Sequence, residues 1–365
     1  MSKKSFTIVA VVAAATIGSG VFAVPYVIQT SGWLLALCYF IALTAVVSVA
    51  HALYLRTLGV VGEKERLLGL ARKYFSAPGF WIGFFAIVIG LLLSFVAYLV
   101  LGTQFVLLLF PWIPPGIARV LFWFLLACVI WGSEGRIAWL EVAGIALIAC
   151  AILFIFASGH PIAAFANMPL AVPGNFLFPF GVILFALAGW TSVEQVYELA
   201  RPHKNIFLLF VAGTTLAALL YWLFALGVIG GGGHVAVDTI SGIGSWPLWR
   251  KDILALIGLL AVGVVSLPLA REIRGALEKD LKWNSIASRA VIIFLPLISV
   301  LLGFNNFLTI VSVAGGIFLS TQYILIISVG RRTLALSGRE KILLDVLTLI
   351  FACAAVYSIY TFIVR

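Results

Sequence analysis

The chain has 365 residues, of which 64% are apolar and only 10% are charged, and its mean hydropathy is +1.20. Soluble domains average about 25% charged residues, so this composition excludes a soluble globular protein and indicates that lipid surrounds most of the chain. The formal net charge is +10, but the basic residues lie in short gaps between apolar runs and form no patch with interleaved aromatic residues. We therefore expect no nucleic-acid partner and attribute the charge to membrane topology.

Eleven apolar runs follow one another along the chain, each near the roughly 20 residues that a helix needs to cross a bilayer. They cover residues 6–29, 32–55, 80–110, 117–132, 137–158, 176–200, 206–229, 251–275, 286–303, 306–330 and 341–364. We predict an all-α polytopic membrane protein, a single domain of about eleven transmembrane helices in the lipid bilayer. The first run follows Lys3 and Lys4 as in a signal peptide, but no small-x-small cleavage site follows cleanly, so we expect it to remain as the first span.

The basic residues provide an independent test of this count. With the N-terminus inside, all of the 23 Lys and Arg residues fall in cytoplasmic segments except Arg119, Arg250, Lys251 and Arg365. An error of one helix would scramble this alternation, because cytoplasmic loops carry the excess of Lys and Arg. The sequence thus predicts that the N-terminus is inside and the C-terminus is outside the cell membrane.

The first span contains a candidate site, because two glycines flank a serine near its middle, at Gly18-Ser19-Gly20. Each glycine weakens a helix by about 1 kcal/mol relative to alanine, and Pro25 removes a further backbone donor. Irregular backbone at membrane depth is tolerated only where it lines a cavity or is buried in protein. The motif therefore predicts either a broken helix that lines a binding site or a close contact between packed helices.

A break at this point would present two complementary surfaces. The N–H groups of Ser19, Gly20 and Val21 would be free at the start of an outer half-helix, where the helix dipole favours an anion such as a carboxylate. The inner half-helix would end in free carbonyls near Ala14, Ala15 and Thr16, which suit an ammonium group or a coupling Na⁺.

The sixth span has a second interruption near its middle, where Ala188-Gly189 precedes Trp190. Spans 1 and 6 run in opposite directions, and two interrupted helices five apart fit an inverted repeat of five plus five helices. We predict repeats over residues 6–158 and 176–330, with an extra C-terminal helix at 341–364.

Together the two breaks would offer an amino acid donors for its carboxylate, acceptors for its amine and an apolar wall for its side chain. The second break would contribute the carbonyls of residues 185–188 and the hydroxyls that follow. The candidate substrate-binding residues are Gly18, Ser19, Gly20, Val21, Phe22, Phe185, Ala186, Ala188, Gly189, Trp190, Thr191 and Tyr98.

Ionisable residues inside the spans are few, and each is a functional candidate. Glu194 is either a proton-binding or gating carboxylate below the second break or a residue that faces cytoplasmic water or pairs with Arg201. Ser266 in span 8 either joins Ala14 and Ile17 around a coupling ion or bonds to its own helix backbone. No cluster has metal-ligand spacing and no enzyme motif is present. We therefore expect no metal site, no cofactor and no catalytic activity.

Residues 18–26, Gly-Ser-Gly-Val-Phe-Ala-Val-Pro-Tyr, resemble the G-[ST]-G-[IVM]-[LF]-x-[LM]-P signature of the amino acid/auxin permease family, especially its bacterial aromatic/hydroxy amino acid permease-like branch. Residues 185–190 and 266–272 are similar to helices 6 and 8 of the wider amino acid–polyamine–organocation superfamily. The resemblance implies a leucine-transporter-type fold, with helices 1 and 6 lining the site and helices 3 and 8 beside it. Some relatives have a lysine in helix 5 that stands in for sodium, and this chain has none there.

We therefore predict a secondary active amino acid transporter, a monomer in the cell membrane that works by alternating access and couples to Na⁺ or H⁺. The alternative hypothesis is an amino acid sensor or germinant-type receptor on the same scaffold, which binds without net transport. Manganese-type metal transport is disfavoured because the first span lacks an Asp-Pro-Gly-Asn break.

Overall fold

The computed structural model describes residues 3–62, 66–131, 137–160, 162, 165, 168–200, 206–232 and 235–364. Within these residues the regular structure is helical, without strands. The α-helices are α1 Lys3–Thr16, α2 Val24–Ser31, α3 Trp33–Val61, α4 Leu67–Tyr74, α5 Ala77–Phe84, α6 Gly90–Leu109, α7 Pro115–Trp131, α8 Ile137–Ala157, α9 Phe178–Leu187, α10 Val193–Ala200, α11 Ile206–Gly230, α12 Leu248–Arg274, α13 Ser285–Leu301, α14 Phe307–Val313, α15 Ser320–Thr333 and α16 Gly338–Val364.

Apart from α4, these helices fall on the predicted apolar runs. In the described part of the chain, seven helical stretches are long and apolar enough to cross a membrane: Trp33–Val61, Ala77–Leu109, Phe178–Leu199, Ile206–Gly230, Leu248–Asp280, Phe307–Thr333 and Gly338–Val364. Shorter apolar helices lie on the other predicted spans, at Lys4–Thr16, Pro115–Trp131, Val142–Ala157 and Ser285–Leu301. The chain is thus a multi-pass membrane protein, whereas the count of eleven crossings and the orientation of the termini stay predictions.

Both predicted interruptions are present in the structure. After α1 the chain forms a 3-10 turn at Ser19–Phe22 and then continues as α2. After α9 it leaves the helix at Ala188, forms a 3-10 turn at Trp190–Ser192 and continues as α10. Both turns are buried, as expected, because irregular backbone at membrane depth requires protein around it.

The two broken helices lie in the interior of the bundle. Helix α1 packs against α8, α11 and α12, while α9 packs against α3 and the π-helical turn Ala314–Leu319 between α14 and α15. Helix α12 also packs against α6 and α8. On the outside, large apolar side chains such as Phe124 in α7 and Leu349 in α16 are 59% and 64% exposed. An apolar outer surface of this kind is what contact with lipid requires.

A short helix, α4, lies outside the predicted apolar runs. Its Leu67, Leu68 and Leu70 side chains are buried, and its last turn is basic. Eight residues are too few to cross a bilayer. Helix α4 instead packs against α15 and the π-helical turn Gly275–Asp280 that extends α12, and it thereby fixes the position of Arg66, the residue before it.

Candidate functional site

A narrow cavity of about 30 Å³ lies between the two helix breaks. Its walls come from α1, α6, α9, α12 and the turns beside them. The lining residues are Ala15, Thr16, Gly18, Gly20, Leu91, Ser94, Tyr98, Phe185, Ala188, Trp190, Thr191, Val265, Leu269 and Leu319. None of these described lining residues has a charged side chain, so only backbone groups and hydroxyls would meet the charges of a ligand there.

The cavity brings together predicted substrate residues from both breaks. Those that line it are Gly18, Gly20, Tyr98, Phe185, Ala188, Trp190 and Thr191. Those that lie in the same two breaks but outside its lining are Ser19, Val21, Phe22, Ala186 and Gly189. The hydroxyl oxygen of Thr191 is buried and has no hydrogen-bond partner in the described part of the chain. This hydroxyl is therefore available to a ligand.

The backbone donors of the first break differ in part from the prediction. The N–H of Val21 donates to the carbonyl of Gly18 over 3.3 Å. The prediction that this N–H is free was wrong, because the chain after the break forms a 3-10 turn, which pairs residues three apart. The N–H groups of Ser19 and Gly20 have no backbone acceptor among the described residues. Two of the three expected donors thus remain for an anion.

Phe22 lies outside the apolar wall of the cavity. Its ring centroid lies 4.7 Å from that of Phe105 and 5.4 Å from that of Phe224, so it packs between α6 and α11. The aromatic part of the cavity wall comes from α6 and from the second break instead.

The glycines also allow the two breaks to approach each other closely. A methyl group built on Gly20 would lie 2.8 Å from the Cα atom of Ala186. A methyl group on Gly189 would collide with Oγ1 of Thr16. The two interpretations of the Gly-Ser-Gly motif are therefore compatible, because the same glycine permits close packing and lines the cavity.

Gln322 in α15 holds the indole of Trp190 in place. The indole Nε1–H donates to Oε1 of Gln322 over 2.6 Å, and Nε2 of Gln322 donates to the carbonyl of Ala86 over 2.6 Å. Gln322 and Trp190 are both fully or almost fully buried. Gln322 was not a sequence candidate, although a carboxamide inside an apolar run is a signal that could have identified it.

Tyr221 in α11, also not a sequence candidate, connects the two breaks. Its hydroxyl oxygen lies 2.7 Å from the carbonyl oxygen of Thr16 and 2.8 Å from that of Ala186. The prediction of free carbonyls was therefore wrong for Thr16 at the end of the inner half-helix and for Ala186 at the second break. Sequence alone gave no signal, since a lone tyrosine in an apolar run usually has a packing role.

The predicted ion-coupling residues are buried close to the first break. Ala14 and Ile17 are both fully buried, and the N–H of Ile17 still donates to the carbonyl of Ala13 over 2.9 Å. The hydroxyl of Ser266 donates to the carbonyl of Gly263 in its own helix over 2.8 Å. Among the described residues, no group of three or more His, Cys, Asp or Glu side chains could hold a metal ion.

Glu194 belongs to a charged cluster outside the cavity, formed by Tyr54, Arg66, Glu194 and Glu272. Its Oε1 accepts a hydrogen bond from the Tyr54 hydroxyl over 2.9 Å, and its Oε2 lies 3.3 Å from Nη1 of Arg66. The same Arg66 nitrogen lies 3.0 Å from Oε2 of Glu272, whose side chain is only 3% exposed. The cluster ties α3, α10 and α12 to the start of α4. The alternative partner, Arg201, lies outside the described residues.

Comparison with known proteins identifies the fold. No model of a known protein family matches the sequence, and no curated protein matches it. The structure is similar to the crystal structure of MhsT in complex with L-phenylalanine, with a TM-score of 0.70 and 15% sequence identity, covering 99% of this chain and 98% of that chain. The chain has the leucine-transporter fold. The predicted fold class is thus confirmed, and membership of a particular permease branch stays a prediction.

Proposed function

We propose that this protein is a secondary active transporter of a neutral amino acid, which binds in the cavity between the two breaks. The chemistry of this cavity carries the proposal, because free backbone donors of the first break and an unpaired hydroxyl of the second lie beside an apolar wall. MhsT has the same fold and its crystal structure contains L-phenylalanine, which supports an amino acid as the class of ligand.

The lining of the cavity supports a substrate whose side chain carries no charge. An unpaired charge in a low-dielectric interior costs several kcal/mol, and the described lining residues offer no charged partner. The α-carboxylate would be bound by the N–H groups of Ser19 and Gly20 together with the Thr191 hydroxyl. Phe185 and Trp190 would contact an apolar or aromatic side chain.

The charged cluster supports alternating access as the mechanism. Arg66, Glu194 and Glu272 join segments on the side of the cavity where, in the predicted topology, the cytoplasm lies. A path from the cavity to that side requires α10 and α12 to separate, which breaks the contacts that both carboxylates make with one guanidinium. The cluster would therefore hold the inner side closed until the substrate and its coupling ion are bound.

Uptake into proteoliposomes tests the proposal. Labelled phenylalanine and leucine are expected to enter in a saturable manner, whereas labelled arginine and glutamate are not. Absence of specific uptake for all twenty amino acids would exclude transport. Saturable binding to the purified protein without any flux would instead support the alternative, a sensor on the same scaffold.

Na⁺ and H⁺ are both candidate coupling ions for this transporter. Uptake measured with choline in place of Na⁺, at a fixed pH gradient, separates them: loss of uptake identifies Na⁺, and retention identifies H⁺ or exchange. We further propose that the chain works as a monomer in the cell membrane, with eleven crossings, two inverted repeats and the N-terminus inside.

A further inference from the structure

A single hydroxyl connects the two broken helices at their closest point. Tyr221 is fully buried, and its hydroxyl oxygen lies 2.7 Å from the carbonyl oxygen of Thr16 and 2.8 Å from that of Ala186. Both carbonyls belong to the last two residues of α1 and α9.

The two carbonyl oxygens can accept more hydrogen bonds than one phenol hydroxyl can donate, and both favour a positive charge nearby. They lie at the C-terminal ends of α1 and α9, where each helix dipole has its negative end. A tyrosine hydroxyl has one proton and can donate it to only one acceptor at a time. The second carbonyl therefore faces an oxygen without a proton of its own, in an interior where an unsatisfied polar group is costly.

The convergence of half-helix carbonyls at mid-membrane is the arrangement that binds a monovalent cation in transporters with broken helices. In this chain the hydroxyl of Tyr221 lies between the two carbonyls, and unlike a dissolved ion it is covalently attached to the protein. The phenol oxygen is within hydrogen-bonding distance of both carbonyls, and the aromatic ring behind it is anchored in α11, with Phe40 of α3 nearby at 6.3 Å between ring centroids.

We propose that the hydroxyl of Tyr221 occupies a cation site formed by the carbonyls of Thr16 and Ala186. The site takes a small monovalent cation such as Na⁺ when the phenol is removed, and the native protein needs no dissolved cation at this position. Its residues differ from those suggested for the coupling ion, which are Ala14, Ile17 and Ser266. The role of this site in transport rests on the proposed function, but the experiment that tests for the site requires no substrate.

The test measures the thermal unfolding of the purified full-length protein in NaCl and in choline chloride of equal ionic strength. In Tyr221→Asn the shorter side chain opens space between the carbonyls, and the amide oxygen is itself a ligand for a hard cation. This variant is expected to gain a saturable rise in Tm with Na⁺, about 2 °C or more beyond the response of the wild type. In Tyr221→Phe the ring still fills the space, so no gain is expected.

A matched control is Tyr323→Asn, because Tyr323 is equally buried and its hydroxyl contacts the His51 ring over 3.0 Å instead of converging carbonyls. It is expected to show only the wild-type response to Na⁺. A Tyr221→Asn response equal to that of the wild type overturns the proposal, as does an equal gain in the Tyr323 variant, because either result makes the Tyr221 contacts ordinary structural hydrogen bonds.

If Tyr221→Asn folds poorly, its recovery in the two salts still tests the proposal. Recovery of folded protein only when Na⁺ is present during purification supports a cation site, and equal loss in both salts overturns it. Failure of amino acid uptake by the wild type would refute the proposed function while leaving the Na⁺ response of the variant intact, so the two failures are distinguishable.

Discussion

Replacement of Gly20 by alanine tests whether the two helix breaks act as one site. A methyl group built on Gly20 lies 2.8 Å from Cα, 3.0 Å from Cβ and 3.2 Å from the backbone nitrogen of Ala186. None of these atoms belongs to a flexible side chain, so no rotamer change relieves the contact. The two breaks themselves must move apart by several tenths of an ångström, and with them the walls of the cavity.

The expected magnitude follows from overpacking in a rigid interior, which typically costs about 1–3 kcal/mol. Since 1.4 kcal/mol corresponds to a factor of ten, substrate affinity should fall by about 5- to 150-fold if this cost falls on the substrate-bound arrangement of the breaks. Gly263→Ala is the matched control, because a methyl group there has no atom within 4 Å. Alanine favours a helix over glycine by about 1 kcal/mol, so this control should be neutral or slightly stabilising.

The assay is the binding of labelled phenylalanine to purified wild type, Gly20→Ala and Gly263→Ala, with thermal unfolding of each to show that it is folded at the assay temperature. The Gly20 variant should lose affinity as calculated, and the Gly263 variant should keep it. A folded Gly20→Ala protein that binds with wild-type affinity would refute the reasoning that the contact between the breaks shapes the substrate site.

Three further predictions concern polar groups that the structure places in the interior. Gln322→Leu leaves the indole N–H of Trp190 without its acceptor, which should cost about 1–3 kcal/mol of folding stability and lower Tm. The variant should also bind aromatic amino acids more weakly, with a smaller effect on alanine. Unchanged selectivity would contradict the role of Gln322 in positioning Trp190. Arg66→Gln leaves the buried carboxylate of Glu272 and the partly buried carboxylate of Glu194 without their cation, which should cost about 3–5 kcal/mol in chemical unfolding, with partial rescue by lysine. Arg250 stacks 3.7 Å from the ring centroid of Trp246 and donates to backbone carbonyls, so Arg250→Lys should lower stability by about 1–3 kcal/mol without changing substrate selectivity; an unchanged Tm would contradict this assignment.

The helical framework was largely predictable because it depends on local properties. The length of each apolar run is matched to the bilayer, and the helices of the structure lie on the predicted runs to within a few residues. Single glycines such as Gly213 and Gly258 lie inside continuous helices, so the breaks at Gly18 and Gly189 were predictable only as a pair, in two spans that are five apart and run in opposite directions. The short helix α4 was not predicted, because amphipathic segments of eight residues give too weak a pattern in a loop.

The site was predictable only in part, because contacts across the bundle are not local. Seven of the predicted substrate residues, four in the second break, line the cavity, yet the phenyl ring of Phe22 points into a different aromatic cluster. The direction of a side chain next to a break depends on the local backbone. A 3-10 turn has 3.0 residues per turn instead of 3.6, so the side chains that follow it point in directions different from those in a regular helix.

The Gly-Ser-Gly motif shows which features of this protein follow from the sequence and which depend on the tertiary structure. The sequence determined that the chain is a membrane protein, because burial in lipid depends on residue type, and it predicted breaks in the first and sixth spans from their paired positions. Only the tertiary structure decided what meets at the breaks. It placed the Tyr221 hydroxyl on both carbonyls, Gln322 behind Trp190 and Arg66 between two glutamates. These partners are 35 to 206 residues apart in the chain, and packing alone brings them together.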